Sequence, residues 1–157
     1  MYGRKYDCVE TGTFVVTLKA DGIDNGFLAT AVMELPDGSG RLCVAVNKDN
    51  HSYEALKETG IFNVCVLDET ATMVPFRHFG KNSGRDMNKF ETCVKEFRTK
   101  NGLLYLPKFT NTVLSVETEK TVDLGDTVLF IGPVTEMIKR SDVPSATHRF
   151  YLENIKE

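Results

Sequence analysis

Short apolar runs rich in β-branched and aromatic residues, divided by turn-forming residues, dominate the first half of this chain and return near its end. Segments broken this often cannot form long helices, and they pack as strands. Residues 13–18 (TFVVTL) open the series, followed by Asp21-Gly22 and Asp24-Asn25-Gly26, residue types that tolerate positive φ and make turns. Residues 27–35 (FLATAVMEL) fit a strand or a helix by periodicity alone, and the turn residues on both sides favour a strand. Residues 42–46 (LCVAV) read as a short strand buried on both faces, and residues 61–67 (IFNVCVL) as another. Towards the end, residues 113–119 form a strand and residues 123–126 a hairpin turn. Residues 128–137 form a long strand that Gly132-Pro133 bends.

Helices are few and short. Asn50 or Ser52 caps a helix running to about Thr59, with Gly60 as its stop. Met73, Phe76 and Phe79 fall at helical spacing, with Pro75 early enough to be tolerated. Residues 80–89 (GKNSGRDMNK) make a polar connection of a kind that often carries function. The expected fold class is mainly β with a few short helices, a closed or partly closed β-barrel, in a single domain over residues 1–157. No βαβ periodicity and no GxGxxG occur, which argues against a Rossmann cofactor site.

Composition narrows the function classes. Apolar residues make up 41% and charged residues 26%, with a net charge of −3 and no block of five basic residues, so a nucleic-acid partner is not expected. The apolar stretches are too short to span a bilayer, and the first residues, MYGRKYDCVE, hold no apolar h-region. A cytoplasmic protein without membrane contact is the expectation. Cys8, Cys43, Cys65 and Cys93 form no CxxC pair and show no zinc spacing, so four free thiols are expected, with Cys43 and Cys65 as core residues and no metal.

Two polar loops stand out against the apolar pattern. Asn47, Lys48, Asn50, His51 and Ser52 precede a helix start, which suits an anion; the same residues also make an ordinary strand-to-helix connection. Residues 81–85 (KNSGR) supply a hydroxyl, a glycine and a guanidinium, the last suited to phosphate, or else form a surface loop. His78 stands alone after an apolar helical stretch, where a histidine is more often structural than catalytic.

Several segments together resemble the flavin reductase-like family of FMN-binding split barrels, in the branch similar to flavoredoxin and the flavin domain of high-molecular-weight rubredoxin. They are residues 14–18 followed by Asn25-Gly26, residues 29–33 (ATAVM), 44–48 (VAVNK), 59–64 (TGIFNV), His78-Phe79-Gly80 with Ser83-Gly84-Arg85-Asp86, and 121–131. The resemblance implies a six-stranded antiparallel split barrel that forms a homodimer and holds FMN non-covalently near the dimer interface. It places Ala29, Thr30, Ala31 and Val32 along the flavin ring, with Asn25 in the turn before that strand. Asn47, Lys48, Asn50, His51 and Ser52 would surround the phosphate, and Ser83, Gly84, Arg85 and Lys89 would close over the flavin. His78 would stand on the nicotinamide or partner side as the catalytic candidate.

The implied activity is oxidation of NADH or NADPH with reduction of flavin or another acceptor. Two departures bear on it. The phosphate loop reads His51-Ser52-Tyr53 where many relatives have Tyr-Thr-His. The hairpin reads Gly125-Asp126-Thr127 where nicotinamide-using relatives often have Gly-Asp-His. The second motivates the alternative of a non-catalytic electron carrier for a redox protein such as a rubredoxin. A split barrel holding another ligand, haem or a pyridoxal-type cofactor, is a third reading.

Overall fold

The computed structural model describes residues 4–81 and 97–157. Among them eight antiparallel strands form one curled sheet: β1 (Phe14–Ala20), β2 (Ile23–Ala29), β3 (Val32–Glu34), β4 (Arg41–Asn47), β5 (Ile61–Leu67), β6 (Thr110–Glu117), β7 (Lys120–Asp123) and β8 (Thr127–Lys139). Neighbours run β2-β1-β5-β6-β8-β4-β3, with β7 beside β8. This is the mainly β, partly closed barrel that the sequence predicts. Six long strands carry it, and β3 and β7 are short additions.

The curl is built into β8. Its first half, up to Pro133, pairs with β4, and its second half, from Val134, pairs with β6. Gly132 stands at the junction, where β6 passes into β7 across it. One strand thereby belongs to both halves of the barrel, and the bend at Gly132-Pro133 joins them.

Both faces of the central strands are covered. Val16 and Leu18 of β1 join Phe27, Val44, Phe62, Val64 and Phe130 in an inner cluster, closed at one end by Tyr53 and Leu56 of α1 (Tyr53–Thr59). Val15, Cys65 and Leu67 face outward into a second cluster with Phe76, Phe79, Leu104 and Leu106. Two apolar faces explain why these strands read as continuous apolar runs. Helix α1 spans the predicted stretch and stops at Gly60.

Three predicted details change. The strand expected over residues 27–35 is two strands, because the chain leaves β1 after Ala29 and joins β4 from Val32. Asp24, Asn25 and Gly26 lie inside β2 rather than in a turn. Asp21 and Gly22 adopt positive φ and close the hairpin so tightly that Ala20 already pairs with Ile23. The helix expected over residues 73–79 is a short α2 (Met73–Phe76) that widens into a π-helical turn, Arg77–Lys81.

The C-terminal segment, α3 (His148–Phe150) and the π-helical turn Tyr151–Ile155, clasps the N-terminal strap. The His148 amide donates to the Thr11 carbonyl at 2.8 Å, and the Arg149 amide donates to Glu10 Oε1 at 3.1 Å. The His148 ring is 1% exposed, stacks on Tyr151, and finds no hydrogen-bond partner for either nitrogen among the described residues. Burial pushes its proton affinity below the ordinary histidine value of 6.5, with Arg4 adding to the effect and Asp7 and Glu10 opposing it. A depressed folded-state value means that the unfolded chain takes up the proton first. Stability from this site is therefore complete above pH 6.5 and is lost as the pH falls below it. Melting temperatures measured at pH 7.5 and 5.5 should show the loss, and His148→Phe should flatten it.

Candidate functional site

The expected ring-binding and phosphate-binding segments lie far apart in sequence, and the sheet brings them together. Ala29 ends β2 and packs on the inner cluster, as does Val32 at the start of β3. Between them the carbonyl of Ala31 accepts a hydrogen bond from the Ala45 amide at 3.0 Å. Two residues further along β4, Asn47 ends the strand opposite Thr127 of β8 and opens the loop to α1. Small side chains at a half-buried apolar strand end thus sit beside a polar loop.

That loop is internally organised. The Asn47 carbonyl accepts from the Asn50 amide at 3.0 Å, and Asn50 Oδ1 accepts from the Ser52 amide at 2.8 Å. The Asn50 carbonyl in turn accepts from the Tyr53 amide. Asn50 therefore shapes the helix entry. Ser52 holds the capping position, but its side chain makes no cap bond and the residue is buried. Lys48 is solvent-facing, and Asn50 and His51 are half-buried.

The hairpin between β7 and β8 forms one wall of this loop, a feature the sequence reading did not assign to the site. The Lys48 amide donates to the Asp126 carbonyl at 2.9 Å, and Lys48 Nζ stands 2.9 Å from Asp123 Oδ2. The hydrogen bond from Lys48 holds the Asp123 carboxyl below the usual carboxylate range, and Asp123 raises the lysine in turn. The signal for this wall was the pairing of Asn47 with Thr127, which becomes visible only once β4 and β8 are known to be neighbours.

Other expected residues lie elsewhere. Asn25 is buried in the middle of β2, its Oδ1 accepting from the Gly26 amide. Four residues of strand, roughly 13 Å, separate it from Ala29. His78 lies on the π-helical turn, half-buried, its ring edge-on to Phe79 at 4.8 Å. That turn packs on β2: a methyl group added at Gly80 would stand 3.2 Å from Leu28 Cδ2, on the face opposite Ala29. Ser83, Gly84, Arg85 and Lys89 lie outside the described residues, as does Cys93.

Cys8, Cys43 and Cys65 are free thiols. Burial pushes the Cys65 thiol up to about 12, which removes it as a thiolate at neutral pH. Burial also raises the Cys43 thiol. Among the described residues no group of His, Cys, Asp and Glu could hold a metal ion, and no helix is long and apolar enough to cross a membrane. A shallow cleft of about 310 Å³ lies between the end of α1 and residues 118–121, and it includes none of the expected site residues.

The geometry offers a cation and hydrogen-bonding groups at one end and a small-residue, apolar strand end at the other. That donor set suits an anionic group held beside a flat apolar surface. Comparison with known proteins identifies the family. The model of the flavin reductase like domain matches residues 6–154. A ferric-chelate reductase (NAD(P)H) of Archaeoglobus fulgidus is 27% identical over 91% of this chain and 84% of its own length. A high molecular weight rubredoxin of Moorella thermoacetica is 29% identical over 89% of this chain, which spans only 61% of that protein. Among solved structures, an NADH:FAD oxidoreductase of Streptomyces globisporus superposes with a TM-score of 0.77 at 20% identity, over 88% of this chain and 81% of the other.

Proposed function

Because the chain belongs to the flavin reductase-like family, we propose that it is a flavin-dependent oxidoreductase that holds FMN non-covalently and takes electrons from NADH or NADPH. The observation that carries the reading is the Ala45–Ala31 hydrogen bond, which sets the strand end of Ala29–Val32 beside the loop holding Lys48 and His51. When bound, FMN supplies the hydride and electron chemistry. Ala29, Thr30, Ala31 and Val32 offer a flat surface without bulky side chains, and their apolar contacts exclude water from one face of a ring. Lys48 and His51 supply cationic and N–H donors for a phosphate, while Asn47, Asn50 and Ser52 fix the loop that presents them. The family resemblance puts His78 on the donor side, although its turn packs on the face of β2 opposite Ala29, and Ser83, Gly84, Arg85 and Lys89 are proposed to belong to the covering segment.

The assembly proposed is a homodimer in the cytoplasm. Across the inner face of the sheet, the row Val16, Val64, Leu114, Met137 passes from fully buried to exposed, which leaves apolar surface for a second copy.

Reconstitution with FMN tests the reading. Purified protein should retain a flavin band at about 450 nm after removal of free cofactor. A colourless protein would sink the proposal, and a Soret band would point to haem. Lys48→Ala should weaken FMN binding about tenfold and leave riboflavin, which lacks the phosphate, unchanged; titration of flavin fluorescence measures both.

Thr127 favours a second reading. It stands in Gly125-Asp126-Thr127, where nicotinamide-using relatives often carry histidine, and the protein would then be an electron carrier for a redox partner of rubredoxin type. NADH and NADPH oxidation no faster than with free flavin would select the carrier.

A further inference from the structure

We propose that Asp123 restrains Lys48, and so sets how much of the flavin's affinity comes from its phosphate; the inference rests on the placement of FMN given above. Of the five residues in the loop proposed to surround the phosphate, Lys48 alone carries a permanent charge. Its ammonium is already engaged, 2.9 Å from Asp123 Oδ2.

The hairpin, rather than the lysine, fixes that carboxylate. Its second oxygen accepts from the Gly125 amide at 2.8 Å, and β7 holds the residue in register with Val128. The Lys48 backbone is tied to the same hairpin through the Asp126 carbonyl. The loop is thus tied to the hairpin, and the Asp123 carboxylate and a phosphate would compete for the Lys48 ammonium, with Asp126 adding a weaker pull on Lys48 and Lys57 a weaker one on Asp123. Solvent keeps that contest open. The side chains of Lys48 and Asp123 are 36% and 62% exposed, so the pair is weak enough for a phosphate dianion to break. Asp123 opposes phosphate twice, by occupying the lysine and by adding a negative charge beside the loop. A neutral flavin lacking the phosphate feels neither effect.

Asp123→Asn is the discriminating variant, because the amide oxygen can still accept from Gly125 while the charge is gone. FMN and riboflavin are titrated into the wild-type protein, Asp123→Asn, Lys48→Ala and the double variant at low ionic strength. Asp123→Asn should bind FMN about two- to five-fold more tightly, with riboflavin unchanged and the gain smaller when Lys48 is absent. An unchanged or weaker FMN affinity in Asp123→Asn, alongside a loss in Lys48→Ala, overturns the proposal and leaves the phosphate placement standing. Equal tightening of riboflavin also overturns it. If Lys48→Ala leaves FMN affinity untouched, the placement itself falls, and the restraint by Asp123 falls with it.

Discussion

Gly132→Ala should cost about 3 kcal/mol or more of stability, the upper end for an overpacked site, and should disturb the proposed flavin site as well. A Cβ at this position would stand 1.9 Å from the Glu117 carbonyl oxygen and 2.9 Å from Thr118 Cα. Both obstacles are backbone, so no rotamer change relieves them. The corner where β6 passes into β7 would have to lift away from β8. Such a shift would separate the half of β8 that pairs with β4 from the half that pairs with β6. The loop at Asn47 hangs from that first half through its pairing with Thr127, so flavin affinity should fall with stability. Gly38→Ala is the control. Nothing lies within 4 Å of its added Cβ, and only its positive φ of 76° is strained, which costs about 1 kcal/mol. Urea unfolding of both variants measures the difference, and equal losses would show that the crossing at Gly132 is not tight in solution.

The same crossing shows how much of the fold was legible in the sequence. Gly132-Pro133 in a long apolar run predicts a bend, and the bend is there. What the pair could not reveal is that the bend lets one strand serve two halves of a barrel, since that depends on neighbours that follow from no local pattern. Strands β1, β5 and β8 were readable because their residues are apolar and β-branched on both faces. The start of β2 was not, because Asn25 looks like a turn residue, yet its side chain caps its own neighbour's amide inside the strand. The C-terminal clasp was also hidden: its bonds reach back to Thr11 and Glu10, far away in sequence. Within the proposed site, the family resemblance singles out the segments Ala29–Val32 and Asn47–Ser52, and what the structure adds is their adjacency through the Ala45–Ala31 backbone hydrogen bond. The contact of Asp123 with Lys48 was invisible, because the two are 75 residues apart.

Asn63→Ala should destabilise the protein by about 2–3 kcal/mol, because it removes four hydrogen bonds of one buried network and leaves the buried Ser115 hydroxyl without its acceptor. Asn63 is fully buried on the outward face of β5. Its Nδ2 donates to Thr99 Oγ1 at 2.9 Å and to the Leu104 carbonyl at 3.3 Å. Its Oδ1 accepts from Ser115 Oγ at 2.7 Å and from Asn101 Nδ2 at 3.1 Å. The Leu104 carbonyl also accepts from Thr17 Oγ1. One side chain therefore joins β5, β6 and the loop over residues 99–104, and that loop feeds Leu104 and Leu106 into the outer cluster. Beyond the volume lost, truncation leaves the Ser115 hydroxyl buried without its acceptor and weakens the Thr99 and Leu104 ends of the network, which keep their bonds to Asn101, Leu103 and Thr17. Asn63→Asp separates the two causes. It keeps the shape, removes the amide donor to Thr99 and Leu104, and sets a carboxylate against the Leu104 carbonyl. If hydrogen bonding dominates, Asn63→Asp should be at least as damaging as Asn63→Ala at neutral pH and should recover as acid protonates the new carboxyl. If volume dominates, Asn63→Asp should stay close to wild type. Hydrogen exchange should localise the loss, with the amides of Thr99, Gly102 and Leu103 losing protection before those of β1 and β5.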